Sequence, residues 1–245
     1  MKVSFVIPCY RSEHTIGKVV DKIQNTIRKD DECEIILVND CSPDDTFETI
    51  RGLCEKWDNV KGISLAKNFG QHAALMAGFR HVTGDVVVCL DDDGQTPPEE
   101  VYKLLDKLDK NTDVVYAEYE QKKHSIFRNM GSKINSKMTE YLIGKPKNLF
   151  VSSYFAARRY IIDEIIKYEN PYPYVIGLIL RATRNIKNAK VNHHAREEGQ
   201  SGYSFKKLIR LWLNGFTAFS VKPLRIATAL GLVFAFLGFG YAILQ

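Results

Sequence analysis

The feature that most constrains this chain is a succession of short, β-branched apolar runs that do not alternate with polar residues. Ile35-Ile36-Leu37-Val38 and Val86-Val87-Val88 are apolar at every position, as strands are when a sheet is covered on both faces. Amphipathic stretches long enough for helices separate the runs. The pattern predicts strands near residues 2–8, 34–39, 60–65, 85–90 and 113–119, with helices near 13–28, 44–56, 70–81 and 98–109. Strand and helix in regular succession give an α/β fold, a Rossmann-like, mostly parallel central sheet with helices on both faces. With 45% hydrophobic and 26% charged residues in 245, a full core is available and wholesale disorder is excluded.

In such sheets ligands bind beyond the carboxyl ends of the strands. Polar residues that directly follow strands should therefore carry the chemistry, and Pro8-Cys9-Tyr10, Asn39-Asp40-Cys41-Ser42 and Asp91-Asp92-Asp93 stand in those places. Three adjacent carboxylates repel one another, and a divalent cation offsets that repulsion. If Asp91 continues its strand, Asp91 and Asp93 point to one side, ready to hold Mg²⁺ or Mn²⁺ together with phosphate oxygens. The bland alternative is a solvated acidic turn capping the helix that begins at Pro97-Pro98-Glu99-Glu100. Asp40 is placed to accept hydrogen bonds from a base or ribose, while Ser42 or Asp44 caps the next helix.

Several classes are disfavoured. No GxGxxG or GxxxxGK[ST] loop is present, against a nicotinamide dehydrogenase or a P-loop enzyme. Cys9-Tyr10-Arg11-Ser12 is not the Gly-rich phosphate loop of a nucleotidyltransferase. The five cysteines form no CxxC pair; they read as buried reduced thiols in a reducing compartment rather than a zinc site. The net charge of +5 allows attraction to an anionic surface, and a nucleic acid is not among the expected partners.

The second half changes character. Residues 125–149 are basic and loosely amphipathic, as in a flap. A strand is expected near 149–156 and helices near 160–168 and 173–184. An amphipathic helix over residues 205–219 carries Lys206, Lys207 and Arg210 beside Leu208, Leu211, Trp212, Leu213 and Phe216, an interfacial pattern. Residues 226–244 contain no charge, close to the roughly 20 residues that span a bilayer. They are expected to form a transmembrane helix cut short at the end of the chain. Lys206, Lys207, Arg210, Lys222 and Arg225 precede it, so the positive-inside rule puts the catalytic domain on the cytoplasmic side of the membrane. The N-terminus reads as a strand rather than a signal peptide.

The ordered motifs resemble those of the family 2 glycosyltransferases with their GT-A fold. Ile7-Pro8-Cys9-Tyr10 with Glu13 is similar to the first-strand nucleotide motif. Val38-Asn39-Asp40-Cys41-Ser42-Pro43-Asp44-Asp45-Thr46 is similar to the motif whose acidic residue contacts the nucleoside. Asn68 to Gly78 resembles the helix that follows, and Asp91-Asp92-Asp93-Gly94-Gln95-Thr96-Pro97-Pro98-Glu99 resembles the DxD metal motif with a downstream Gln. With the C-terminal segment and Arg196-Glu197-Glu198-Gly199-Gln200-Ser201, the resemblance narrows to polyprenyl-phosphate glycosyltransferases of the dolichol-phosphate mannose synthase type. Two runs depart from it. Ser152-Ser153-Tyr154-Phe155 stands where a Gly-Asp-Phe-Arg-like run is usual, and Arg11-Ser12 where Asn-Glu is common.

This resemblance implies an inverting, metal-dependent hexosyltransferase. It would move a sugar from a nucleotide diphosphate sugar, UDP before GDP, to a polyprenyl phosphate or other lipid acceptor. It assigns the nucleotide to Pro8, Tyr10, Glu13, Asp40, Lys67 and Asp92. Asp91, Asp93 and Gln95 would hold the metal, and the acceptor phosphate would fall to Arg128, Lys133, Arg196 and Ser201, with Asp91, Asp93, Arg196 and Ser201 as the catalytic set. The implied organisation is a catalytic domain over 1–203, with a nucleotide-sugar half 1–120 and an acceptor half 121–203. An amphipathic helix over 204–222 and a transmembrane helix over 223–245 follow. A homo-oligomer stays open. The alternatives are transfer to a sugar hydroxyl of a glycolipid or polysaccharide, with Glu197 or Glu198 as base, and a non-catalytic membrane scaffold.

Overall fold

The computed structural model describes residues 1–119, 140, 144–192 and 222–243. The expected flap and the amphipathic helix over 205–219 lie outside the described residues, apart from Glu140 and residues 144–149. By backbone contacts the chain divides into one unit of Met1–Ser125 with Asn148–Gln200 and a second of Ile126–Lys147 with Ser201–Gln245.

The first unit is built on a seven-stranded sheet of order β3-β2-β1-β4-β6-β5-β7. Its strands are β1 (Lys2–Cys9), β2 (Glu32–Asn39), β3 (Val60–Ser64), β4 (Val86–Cys89), β5 (Val114–Tyr119), β6 (Phe155–Arg158) and β7 (Ile186–Val191). All pair in parallel except β6, which is antiparallel to both β4 and β5. The helices are α1 (Ile16–Thr26), α2 (Thr46–Lys56), α3 (Gln71–Phe79), α4 (Val101–Leu105), α5 (Arg159–Ile165) and α6 (Val175–Ala182), with a 3₁₀ turn at Pro98–Glu100.

The two-sided burial predicted from the apolar runs is present. Val3, Phe5, Ile7 and Cys9 of β1 join Ile16, Val19, Val20 and Ile23 of α1 in one core. Each such buried aliphatic side chain contributes about 1.5–3 kcal/mol relative to exposure. On the opposite face α3 lies close against β1 and β2 because Gly78 has no side chain. A Cβ there would stand 2.4 Å from Val6 Cγ1 and 3.1 Å from Val38 Cγ2.

The differences from expectation are local. The strand expected over 149–156 forms only from Phe155. Before it, the Ser152 hydroxyl lies 2.9 Å and 2.8 Å from the carbonyl oxygens of Ala117 and Tyr154, and Asn188 bonds Phe150 at both its N–H and its carbonyl. Side chains thus take the place of a ladder. The sequence reading missed β7, whose Ile186-Lys187-Asn188-Ala189-Lys190-Val191 exposes its lysines as the sheet's edge strand. The cysteines are all free, but only Cys9 and Cys89 are buried; Cys33 and Cys54 are half-buried and Cys41 is exposed. The expectation of five buried thiols fails because Cys41 sits on a turn after β2, not in the strand.

In the second unit, α7 (Lys222–Ile243) is a 22-residue helix, about 33 Å long at 1.5 Å per residue. Its described large apolar side chains, among them Leu230, Phe234, Phe236 and Phe239, are exposed. Among the described residues no helix is long and apolar enough to cross a membrane, so the expected span is not shown.

Candidate active site

Strand order reverses between β1 and β4: the chain runs outward through β2 and β3, then returns to place β4 on the other side of β1. This is the switch point at which open α/β sheets bind ligands. The β1–β4 ladder ends at the Val6–Cys89 pair, and the strands open beyond it. Pro8 is tolerated in a central strand for that reason. Cys9 O accepts the Asp40 N–H from the β2 side, so Pro8, one residue earlier, faces the side where pairing has stopped.

The loops leaving β1 to β4 share a strained geometry. Arg11 (φ 58°), Cys41 (φ 51°), Gly70 (φ 91°) and Gly94 (φ 74°) all have positive φ, one in each loop. For Arg11 and Cys41 this costs free energy that side-chain bonds from neighbouring residues offset. The Arg11 N–H donates to Ser42 Oγ at 2.7 Å, and the Ser42 N–H to Asn39 Oδ1 at 3.0 Å.

Four carboxylates meet at this edge. The Tyr10 N–H donates to Asp92 Oδ2 at 2.9 Å, stitching the β1 loop to the β4 loop. Asp91 receives Gln71 Nε2 at 2.9 Å on Oδ1 and Ser153 Oγ at 2.5 Å on Oδ2. Asp93 Oδ1 accepts the Gln95 N–H at 3.1 Å across the Gly94 turn. Asp40 accepts the N–H groups of Phe69 and Gly70, both at 2.8 Å. All these donors are neutral.

The electrostatics follow. Burial pushes the Asp92 carboxyl up to about 6, with Asp91 and Asp93 adding to the rise. Burial also raises Asp40 from its ordinary value in spite of its two amide donors. Burial raises Tyr119, and the negative charges of Asp91 and Asp93 add to the rise.

The expected convergence of Asp91 and Asp93 rests on strand alternation, which does not apply here. β4 stops at Cys89, before either residue. Among the described residues no group of three or more His, Cys, Asp or Glu side chains forms a metal cage. The donor set nevertheless suits a hard cation. Mg²⁺ is commonly held by one or two carboxylates plus substrate phosphates and water, and Asp91 and Asp93 are the carboxylates that could serve it. Burial raises the nearby Cys9 and Cys89 thiols, which leaves the set an oxygen one.

The other expected residues are placed as follows. Tyr10 is exposed beside the Arg11 guanidinium, 5.7 Å from its ring centroid. Lys67 Nζ lies 4.8 Å from the ring centroid of Phe69, which is exposed. Glu13 accepts the Asp45 N–H at 2.8 Å ahead of α2 and pairs with His14 at 3.2 Å. Arg128, Lys133, Arg196 and Ser201 lie outside the described residues. Sequence reasoning assigned no part to Gln71 or Ser153, although both fall in runs already singled out, residues 68–78 and 152–155.

Comparison with known proteins settles the family. The model of Glycosyl transferase family 2 matches residues 4–166.

The chain belongs to glycosyl transferase family 2.

Among its relatives, the undecaprenyl-phosphate 4-deoxy-4-formamido-L-arabinose transferase of Klebsiella pneumoniae (strain 342) is 34% identical over 247 residues. The match covers 99% of this chain and 75% of the relative. The transferase of the same name from Salmonella choleraesuis (strain SC-B67) is 34% identical over 245 residues, with the same coverage. Among solved structures, glucosyl-3-phosphoglycerate synthase from Mycobacterium tuberculosis, crystallised with Mn²⁺, UDP and phosphoglyceric acid, superposes with a TM-score of 0.65. It is 20% identical, over 86% of this chain and 74% of that one. The sheet described above is thus the GT-A fold of a family 2 glycosyltransferase.

Proposed function

We propose that this family 2 glycosyltransferase moves a sugar from a nucleotide diphosphate sugar to a polyprenyl phosphate at the cytoplasmic face of a membrane, inverting the anomeric centre. The observation that carries the reading is the carboxylate edge at the β1–β4 switch point, in a chain 34% identical over nearly all its length to undecaprenyl-phosphate sugar transferases. UDP is the expected nucleotide before GDP.

The nucleotide lies over the ends of β1 and β2, against Pro8, Tyr10 and Lys67. Asp40 and Glu13 shape this floor: both already accept backbone N–H groups, and the lone pairs left on Asp40 face the nucleoside. Asp91 and Asp93, with Gln95, would hold Mg²⁺ or Mn²⁺, which when bound neutralises charge on the departing diphosphate. Asp92 anchors the β1 loop through Tyr10. The acceptor phosphate is already an anion near neutral pH, so direct displacement at the anomeric carbon needs no general base. Arg196 and Ser201, helped by Arg128 and Lys133, bind that anion.

Membrane placement rests on the apolar exposure of α7 and on the charge-free stretch over residues 226–244. An apolar helix face this large is costly in water. Lys222 and Arg225 at its start favour the cytoplasmic side. The domain division into 1–203, 204–222 and 223–245 is part of this proposal.

Transfer of labelled sugar from a panel of UDP- and GDP-sugars to undecaprenyl phosphate tests the reading, with EDTA and Asp93→Ala as controls. Metal-dependent lipid product, lost in the variant, is the expected result. Donor turnover without lipid product would move the acceptor to a sugar hydroxyl. Failure of any nucleotide sugar to bind would sink the catalytic reading.

A further inference from the structure

Asp91 is held more firmly than a carboxylate that merely faces solvent. Its Oδ1 takes the Gln71 amide at 2.9 Å and its Oδ2 takes the Ser153 hydroxyl at 2.5 Å. The two donors come from unrelated parts of the chain, the first residue of α3 and the loop before β6. Each donor is fixed in turn. Gln71 follows Gly70, and the Phe69 and Gly70 N–H groups both end on Asp40 at 2.8 Å. Ser153 lies between Ser152, bonded to the Ala117 and Tyr154 carbonyls, and Tyr154, whose hydroxyl donates to the Pro97 carbonyl at 3.0 Å.

We infer that Gln71 and Ser153 are positioning residues, a two-sided clamp that sets the rotation of the Asp91 carboxylate. Asp40, directly after β2, acts on that clamp through the start of α3. A clamp made of neutral donors leaves the negative charge on Asp91 while fixing its plane. An ionised carboxylate offers roughly four lone-pair positions, and the clamp takes one on each oxygen. A free Asp would have to be ordered about its side-chain torsions when a metal–nucleotide pair arrived, and the clamp removes that cost in advance. It also links the two ends of the donor site, since the carboxylate that anchors the β3–α3 loop and the one at the metal position share Gln71 as neighbour and partner.

This inference rests on the donor-site reading above, so its test separates the two. UDP binding, with GDP in parallel, is titrated calorimetrically in Mn²⁺ and in EDTA for the full chain and for Ser153→Ala, Ser153→Thr and Gln71→Leu. Thermal melts check that each variant is folded. Ser153→Ala and Gln71→Leu are expected to lose about tenfold or more in Mn²⁺-dependent nucleotide affinity, the range found when groups supporting metal ligands are removed. Metal-free binding should be unchanged, and Ser153→Thr, which keeps the hydroxyl, should behave as the parent. Unchanged Mn²⁺-dependent affinity in both deletion variants would overturn the clamp. So would a loss of equal size with and without metal, or a threonine variant as weak as the alanine one. If the parent chain binds nucleotide no better in Mn²⁺ than in EDTA, the donor-site reading falls and takes the clamp with it.

Discussion

The two ends of the parallel strands β1 to β4 use carboxylates in opposite ways. At the amino ends the carboxylates meet cations. Glu34 accepts Ser4 Oγ at 2.6 Å, the Thr83 N–H at 2.5 Å and Thr83 Oγ at 2.9 Å, and pairs with Lys61 at 3.0 Å. Asp31 pairs with the Met1 amine at 3.0 Å and accepts the Tyr102 hydroxyl at 2.9 Å. At the carboxyl ends, Asp40, Asp91, Asp92 and Asp93 take the neutral donors described above. The acidities divide the same way. Glu34, although burial opposes it, is drawn down to about 2 by its donors, and the Met1 amine holds Asp31 low. Asp40 and Asp92 are pushed up. One edge uses charge to hold strands together, while at the other Asp40 and Asp92 sit among neutral donors with their carboxyls pushed up, the pattern expected of a functional site.

The largest effect that could break this contrast is at the carboxyl edge. Asp93→Ala should lower transferase activity by about 10³-fold, the scale of losing one electrostatic stabiliser of a developing charge. The variant should melt close to the parent, because relieved repulsion among three adjacent carboxylates offsets the lost bond from the Gln95 N–H. A fall in Tm matching the fall in activity would make Asp93 a structural residue and erase the distinction between the edges.

Glu34→Ala is the counterpart. It strands the Thr83 N–H and leaves Lys61 unpaired, so a stability loss of about 3 kcal/mol is expected by urea unfolding, with activity per folded molecule unchanged. The same residue fixes an acid limit. Its pKa is depressed in the fold, so its stabilisation is complete above the unfolded value near 4.5 and is lost as pH falls toward about 2. Urea midpoints should therefore drop between pH 4.5 and 2, and more shallowly in Glu34→Gln; equal slopes would remove Glu34 from the account.

How much of this was legible in the sequence follows the same division. Ile35 to Val38 and Val86 to Val88 announced buried strands because every face they present is covered. The carboxylates were found because they follow such strands. Glu34 was not: it stands at the head of an apolar run, two residues after Glu32, and only its pairing across β1, β3 and the turn before β4 explains it. Gln71 and Ser153 were missed for a related reason, since an amide and a hydroxyl carry no pattern until the fold brings both to Asp91. β7 escaped because alternation at a sheet edge is weak beside the uniform runs of the centre.

Two reciprocal substitutions sharpen the contrast at smaller scale. Gly84, at the amino end of β4, has no room for a side chain: a Cβ would stand 2.7 Å from the Lys2 carbonyl oxygen and from Ser4 Oγ. Gly84→Ala should cost about 2 kcal/mol, since the obstacle is backbone and a serine already bonded to Glu34.

Cys41→Gly should do the reverse, and only slightly. Cys41 is exposed with φ 51°, a conformation that costs an L-residue about 1–2 kcal/mol and a glycine almost nothing. Part of that gain is offset because glycine has more freedom to lose from the unfolded chain. The net expectation is a stabilisation of about 0.5 kcal/mol, a rise in Tm of roughly 1–2 °C for a domain of this size. Its value lies in the sign. A gain would mean that the loop after Asp40 holds strain that folding alone does not require, as at an edge arranged for a ligand. A loss would mean that the Cys41 side chain makes packing worth more than the strain, and the carboxyl edge would then be as much a structural edge as the amino one.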